Sequence, residues 1–316
     1  MGLEIRDLHK TFGQTRALDG MTFTPRDGEL YGFVGSNGAG KTTTMRIILG
    51  LLDADSGTVT RDGEPITSTM EFGYMPEERG LYPKMRVDQQ LIYLARLHGL
   101  SRSDAKQAME YWTDRLGVAA RRTDQVQALS LGNQQRVQLA AALIHNPQVM
   151  ILDEPFSGLD PLAVTAMSEV LKEKVAEGAT VVFSSHQLDL VERLCDRVGI
   201  CSLGKIVSEG SIADLRQSNT GVIEIIGSDL PALTAALRTA GYDAQVTEGA
   251  VWVNIPAGVN DQTILQTALT AGAVHSFTPR RPHLTELFQD VVQQPTPEPA
   301  PPAKKRGLGR LFSRKK

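Results

Sequence analysis

Short apolar runs alternate with stretches of helical spacing through the first two thirds of the chain. Glu29-Leu30-Tyr31-Gly32-Phe33-Val34 reads as a strand running into a glycine-rich loop, and a helix is predicted from about Gly40 to Gly50. Residues 87–117 carry apolar side chains at helical spacing and close at Leu116-Gly117. Another helix is predicted over 130–145, stopped by Asn146-Pro147. Val149-Met150-Ile151-Leu152 is short, branched and bounded by Pro147 and Asp153, which suits a strand buried on both faces. After a helix at about 161–177, Thr180-Val181-Val182-Phe183-Ser184 repeats that pattern. Strands alternating with helices predict a parallel sheet, and residues 1–216 read as one such unit.

Residues 221–292 read as a separate, smaller α+β module. Strands are predicted at 222–226, 250–255 and about 273–278, with helices at about 230–240, 260–271 and 283–292. The proline-rich stretch from Pro295 to Pro302 predicts an extended linker, so 293–316 reads as linker and basic tail without a fold.

Charge changes this picture at one end. The net charge is -3, yet seven of the 33 basic residues fall within 304–316 beside no acid. The rest of the chain therefore sets 26 basic against 36 acidic groups, a poor surface for non-specific nucleic-acid binding. Two cysteines, Cys195 and Cys201, form neither a C-x-x-C pair nor a disulfide framework and read as reduced, buried thiols of a cytoplasmic protein. No apolar run approaches the roughly 18 residues of a membrane span, and the first residues show no signal-peptide pattern. Arg6 stands where a myristoylation motif needs Ser or Thr. Work at a membrane would need a span supplied by another protein.

The chemistry concentrates in Gly35-Ser36-Asn37-Gly38-Ala39-Gly40-Lys41-Thr42, which fits the phosphate-loop pattern G-x-x-x-x-G-K-[ST]. Glycines let backbone N–H groups converge on phosphate, and the following helix aims its positive end at the same anion. The predicted nucleotide contacts run from Gly35 through Thr43, with Lys41 on the β- and γ-phosphates and the Thr42 hydroxyl on Mg²⁺. Asp153-Glu154 ends the buried strand 149–152, where an acid sits beside the phosphates at the sheet's crevice. Asp153 is the predicted Mg²⁺ holder and Glu154 the predicted general base for water. A paired acid ending a strand is, by itself, also the pattern of a solvated turn.

The order of motifs over about 210 residues resembles the ATP-binding cassette (ABC) ATPases. They are Phe12-Gly13, the glycine loop, Gly73-Tyr74-Met75-Pro76-Glu77, Leu129-Ser130-Leu131-Gly132-Asn133-Gln134-Gln135, Val149 to Pro155, Ser157-Gly158-Leu159-Asp160, and Ser185-His186. The resemblance implies a phosphate-loop α/β cassette with an antiparallel β subdomain and a helical subdomain at about 77–145. It implies ATP and Mg²⁺ as ligands. It implies that Phe12 stacks on adenine, although a Phe alone is more often core. It implies that His186 contacts the γ-phosphate, although a lone His is usually structural. Glu77 stands where many members have a Gln reaching Mg²⁺ and the water. Ser130, Gly132 and Asn133 would serve a γ-phosphate held by another chain, with Asp160 at the seam, so ATP would join two copies into a homodimer.

Three positions depart from the family's pattern: Leu131 for the first signature Gly, Asn133 for Gln, and Glu77 for Gln. The runs around Glu77 and Leu129 to Arg136, with Arg281-Pro282-His283-Leu284-Thr285-Glu286-Leu287-Phe288, resemble ATPase subunits of bacterial two-gene exporters of the sodium-extrusion and drug-efflux types. That implies a separate membrane permease as partner, no nucleic acid, and residence on the cytoplasmic face of the cell membrane. Leu308, Leu311 and Phe312 fall on one helical face among cations, suited to anionic lipid, with a solvated tail as the alternative. The rival function is a soluble ABC ATPase acting on ribosomes or DNA. Against it stand a single glycine loop and an interval of only 88 residues from Lys41 to Leu129, without heptads.

Overall fold

The computed structural model describes residues 2–66, 72–78, 80–217, 221–247, 249–255, 260–280 and 284–286. In chain order the elements are β1 (Leu3–Phe12), β2 (Thr15–Phe23), β3 (Leu30–Gly35), α1 (Lys41–Ile48), β4 (Ser56–Arg61), β5 (Glu64–Pro65), β6 (Phe72–Met75), α2 (Val87–Leu97), α3 (Arg102–Arg115) and α4 (Leu131–Leu143). They continue with β7 (Val149–Leu152), α5 (Pro161–Ala176), β8 (Thr180–Ser185), α6 (Leu188–Leu194), β9 (Arg197–Ser202), β10 (Lys205–Ser211) and α7 (Ile212–Gln217). The last group is β11 (Val222–Gly227), α8 (Leu230–Thr239), β12 (Asp243–Thr247), β13 (Ala250–Asn254), α9 (Asp261–Ala271) and β14 (Val274–Pro279).

The central sheet has the order β10-β9-β3-β8-β7-β6. Its strands are parallel except β10, which pairs antiparallel with β9. β3, β7 and β8 are buried along their whole length, as their continuous apolar runs require. Alternation decides which core each side chain enters. Leu30, Val34, Met150 and Leu152 join the core under the helices, while Tyr31, Phe33, Val149 and Ile151 face β1, β2 and α1. Against this second face lies an antiparallel sheet of order β2-β1-β4-β5.

The helical stretch 87–117 is two helices. Gly99 turns the chain at φ +86°, and Ser101 restarts it by accepting the Asp104 N–H at 3.1 Å. α4 ends before Asn146, which sits at φ +56° ahead of Pro147. α5 opens with Asp160 as its cap and Pro161 in its first turn.

The β11–β14 unit builds a four-stranded antiparallel sheet of order β12-β13-β11-β14 with a core of its own, including Ile223, Ile225, Leu233, Leu237, Val251 and Ile264. Its βαββαβ order is that of a ferredoxin-like unit. The sequence pattern predicts three strands here. The fourth, β12, is an edge strand that buries only Ala244, so its polar residues mask it. Of the predicted closing helix, only the helical turn 284–286 falls within the described residues. The proline-rich stretch and basic tail lie outside them.

Candidate functional site

β3 ends at Gly35 and α1 begins at Lys41, so a five-residue turn links sheet to helix. Gly40 takes φ +100°, and a Cβ there would lie 2.6 Å from Leu18 Cδ2. A Cβ on Gly35 would come within 2.4 Å of Cys201 Sγ on β9. Both sites admit glycine alone. Burial pushes the Cys201 thiol up to about 12, so it packs as a neutral group. No side chain caps α1, which leaves its first N–H groups facing the space before the loop, where an anion fits. Lys41 is buried, and its Nζ donates to the carbonyl oxygens of Gly35 at 2.7 Å and Ser36 at 3.3 Å.

The parallel order sets the end of β8 between the ends of β3 and β7. Asp153, 1% exposed, accepts the Thr42 hydroxyl on Oδ2 at 2.8 Å. Its Oδ1 accepts the Ser184 hydroxyl. The same Ser184 oxygen accepts the Glu154 N–H at 2.9 Å. One serine therefore holds both acids. Glu154 sits at φ +50°, a left-handed backbone rare outside glycine. Its Oε2 meets His186 Nδ1 at 3.0 Å. From α4, Gln135 Nε2 donates to the carbonyl oxygens of Glu154 at 3.3 Å and Pro155 at 3.1 Å. Gln138 Nε2 donates to Pro76 O at 2.6 Å, beside Glu77.

Lys41, Thr42, Asp153 and Glu154 border a cleft of about 440 Å³ lined also by Phe12, Asn37, Gly38, Gly40, Thr43 and Glu77, with Thr15, Arg16 and Ala17 from β2, while His186 stands outside that lining. Gly35, Ser36 and Ala39 belong to the loop behind it. Ser130, Gly132, Asn133 and Asp160 do not line it. Ser130 caps α4 by accepting the Asn133 N–H at 3.4 Å, and Asp160 caps α5 by accepting the Ala163 N–H at 2.8 Å. Thr42 and Asp153 present adjacent hard oxygens with Glu77 on the same cleft, a donor set that fits Mg²⁺.

The role of Ser184 is not legible in the sequence, because a small polar residue in a buried strand carries no signal of its own. Arg16 is not legible either: it stands at the exposed start of β2, with nothing in its neighbours to single it out.

The family model described as ABC transporter matches residues 18–157. The uncharacterized ABC transporter ATP-binding protein YhaQ of Bacillus subtilis is 42% identical over 292 residues, covering 92% of this chain and 98% of that one. The chain belongs to the ABC transporter ATP-binding family. Nod factor export ATP-binding protein I of Burkholderia lata is 36% identical over 252 residues, with 78% of this chain and 83% of that protein covered. A solved ATP-binding subunit of an ABC transporter superposes with a TM-score of 0.64 at 31% identity, covering 69% of this chain and 93% of that structure. As an ABC cassette the chain binds ATP and is an ATPase. No described helix is long and apolar enough to cross a membrane.

Proposed function

We propose that this chain is the ATP-hydrolysing subunit of an exporter, pairing with a second copy of itself and driving a separate membrane permease at the cytoplasmic face. One observation carries the dimer. Ser130, Gly132 and Asn133 open a helix N-terminus suited to an anion, yet they stand outside the cleft of their own chain. A second copy would bring that terminus to the phosphate held by the first. Closure then depends on contacts that exist only with ATP between the two copies, so binding and hydrolysis become a two-state switch. Export is supported by the name of the Burkholderia lata relative.

Within each cleft, Phe12 offers its ring to adenine, and the Gly35–Thr43 loop with Lys41 holds the phosphates. Thr42, Asp153 and Glu77 would hold Mg²⁺. When bound, that ion neutralises charge on the phosphate oxygens. Glu154 takes the proton of the attacking water, and His186, paired with it at 3.0 Å, orients that carboxylate and reaches the γ-phosphate. Asp160 lies at the seam.

The test is tagged Glu154→Gln protein, purified with ATP from gently solubilised native cells. Turnover is expected to fall about 10²- to 10⁴-fold, with loss of the base. ATP should hold a dimer, and a protein with several apolar spans should co-purify. A monomer in saturating ATP, or recovery with ribosomal or DNA-processing proteins instead, would overturn the reading.

A further inference from the structure

The motif that follows β14 has no part in the chemistry above, yet its described turn touches the machinery. Leu284 is 2% exposed and belongs to the core that also holds Leu190, Val191 and Leu194 of α6. Its backbone N–H donates to Glu192 Oε2 at 3.0 Å. Glu192 is on α6, and Gln187, the residue before that helix's first turn, directly follows His186. Thr285 and His186 line one cavity of about 590 Å³ together with Pro161 and Leu188. Arg280 holds the turn from the other side. Its guanidinium stacks 3.6 Å over the Trp252 ring of β13 and pairs with Glu286. The turn 284–286 is thus a clasp between the small sheet and α6.

α6 has only seven residues, too few to hold its own direction, so contacts from elsewhere must set it. Three of its apolar residues face the core, and Glu192 adds a contact to the clasp. His186, at the foot of the helix, has a side chain 58% exposed, so packing fixes it weakly. We propose that Glu192 is a positioning residue for ATP hydrolysis. By accepting the Leu284 N–H it fixes α6, and α6 keeps His186 Nδ1 in reach of the Glu154 carboxylate. This rests on the roles given above to His186 and Glu154. It also links the β11–β14 unit to turnover, since the clasp is anchored on Trp252 through Arg280.

Steady-state ATPase of the full chain tests it, with fluorescent ATP-analogue binding measured alongside. Glu192→Ala is expected to lower kcat about five- to tenfold, at least the effect of losing the Leu284 hydrogen bond, with KM and nucleotide affinity within about twofold. Glu192→Gln keeps an oxygen that accepts the same N–H and is expected to recover most of kcat. Unchanged kcat in Glu192→Ala, a KM that rises in step with the loss, or a Gln variant as impaired as Ala would each overturn the positioning role. His186→Ala separates the two readings. If it leaves kcat unchanged, the hydrolysis assignment fails. If it lowers kcat while Glu192→Ala does not, the clasp proposal alone fails.

Discussion

Ser184→Ala removes one oxygen on which two acids depend. Ser184 is fully buried, Asp153 is 1% exposed and Glu154 8% exposed, so water does not replace what is lost. The Glu154 N–H would lose its acceptor and Asp153 Oδ1 its hydroxyl donor. A buried donor without a partner costs about 1–3 kcal/mol, and a hydrogen bond to a charged acceptor contributes about 1.5–3 kcal/mol. Both losses pass through one oxygen and do not add in full, so about 3 kcal/mol is expected. At roughly 2–4 °C per kcal/mol for a domain of this size, Tm should fall by about 6–12 °C. Activity should suffer separately, because Glu154 is held at φ +50° by that bond. A misplaced base can lose on the order of 100-fold in kcat. Calorimetry and steady-state ATPase on the purified variant read the two effects. A Tm within about 2 °C of the parent with kcat within about twofold would refute the claim that Ser184 organises the acids.

Phe12→Ala should weaken ATP binding about tenfold, since stacking of a base on an aromatic ring contributes about 1–3 kcal/mol. Phe12 is 49% exposed, so Tm should stay put, and a fluorescent-nucleotide titration with unchanged affinity would remove Phe12 from the site. His145 stacks on His98 with ring centroids 3.7 Å apart, and burial, aided by the charge of His98, lowers its pKa from 6.5 to about 4. The unfolded chain therefore binds the extra proton between those values, and stability falls as pH drops through that window. Discounted for partial exposure, the loss from pH 7.5 to 5 is about 1–2 kcal/mol. His145→Gln should flatten the pH dependence of urea midpoints by that amount, and an unchanged slope would contradict it.

The elements that could be read in the sequence are those whose neighbours leave no choice. β3, β7 and β8 are covered on both sides, so every position is apolar or small, and the run announces the strand. The glycine loop is legible for the same reason, because Gly35 and Gly40 meet Cys201 and Leu18 too closely for any side chain. β1 and β12 are not legible. β1 buries Leu3, Ile5 and Leu8 and leaves its remaining positions part-exposed or exposed, and β12 buries one residue, so neither shows a clean period. In the site, Lys41, Thr42, Asp153 and Glu154 stand out by residue type and spacing. Ser184 acts through two hydrogen bonds to residues about 30 positions away, and Glu192 through one to a residue 92 positions away, which local pattern does not encode.

β3 leads into the glycine loop, and its two partners in the sheet are β8 and β9. Both leave the ribosome long after it. Cys201, against which Gly35 is packed, is made some 160 residues after Lys41, a delay of about 8–30 s at ordinary synthesis rates. Until β8 is made the apolar segment Leu30–Val34 has neither neighbour, and until β9 follows the cradle for phosphate lacks the wall that Cys201 supplies. ATP stabilises only a state that binds it, so it gives the nascent chain no protection during that interval. A ribosome that stalls before β9 leaves a chain that abundant nucleotide does not rescue and that chaperones must hold.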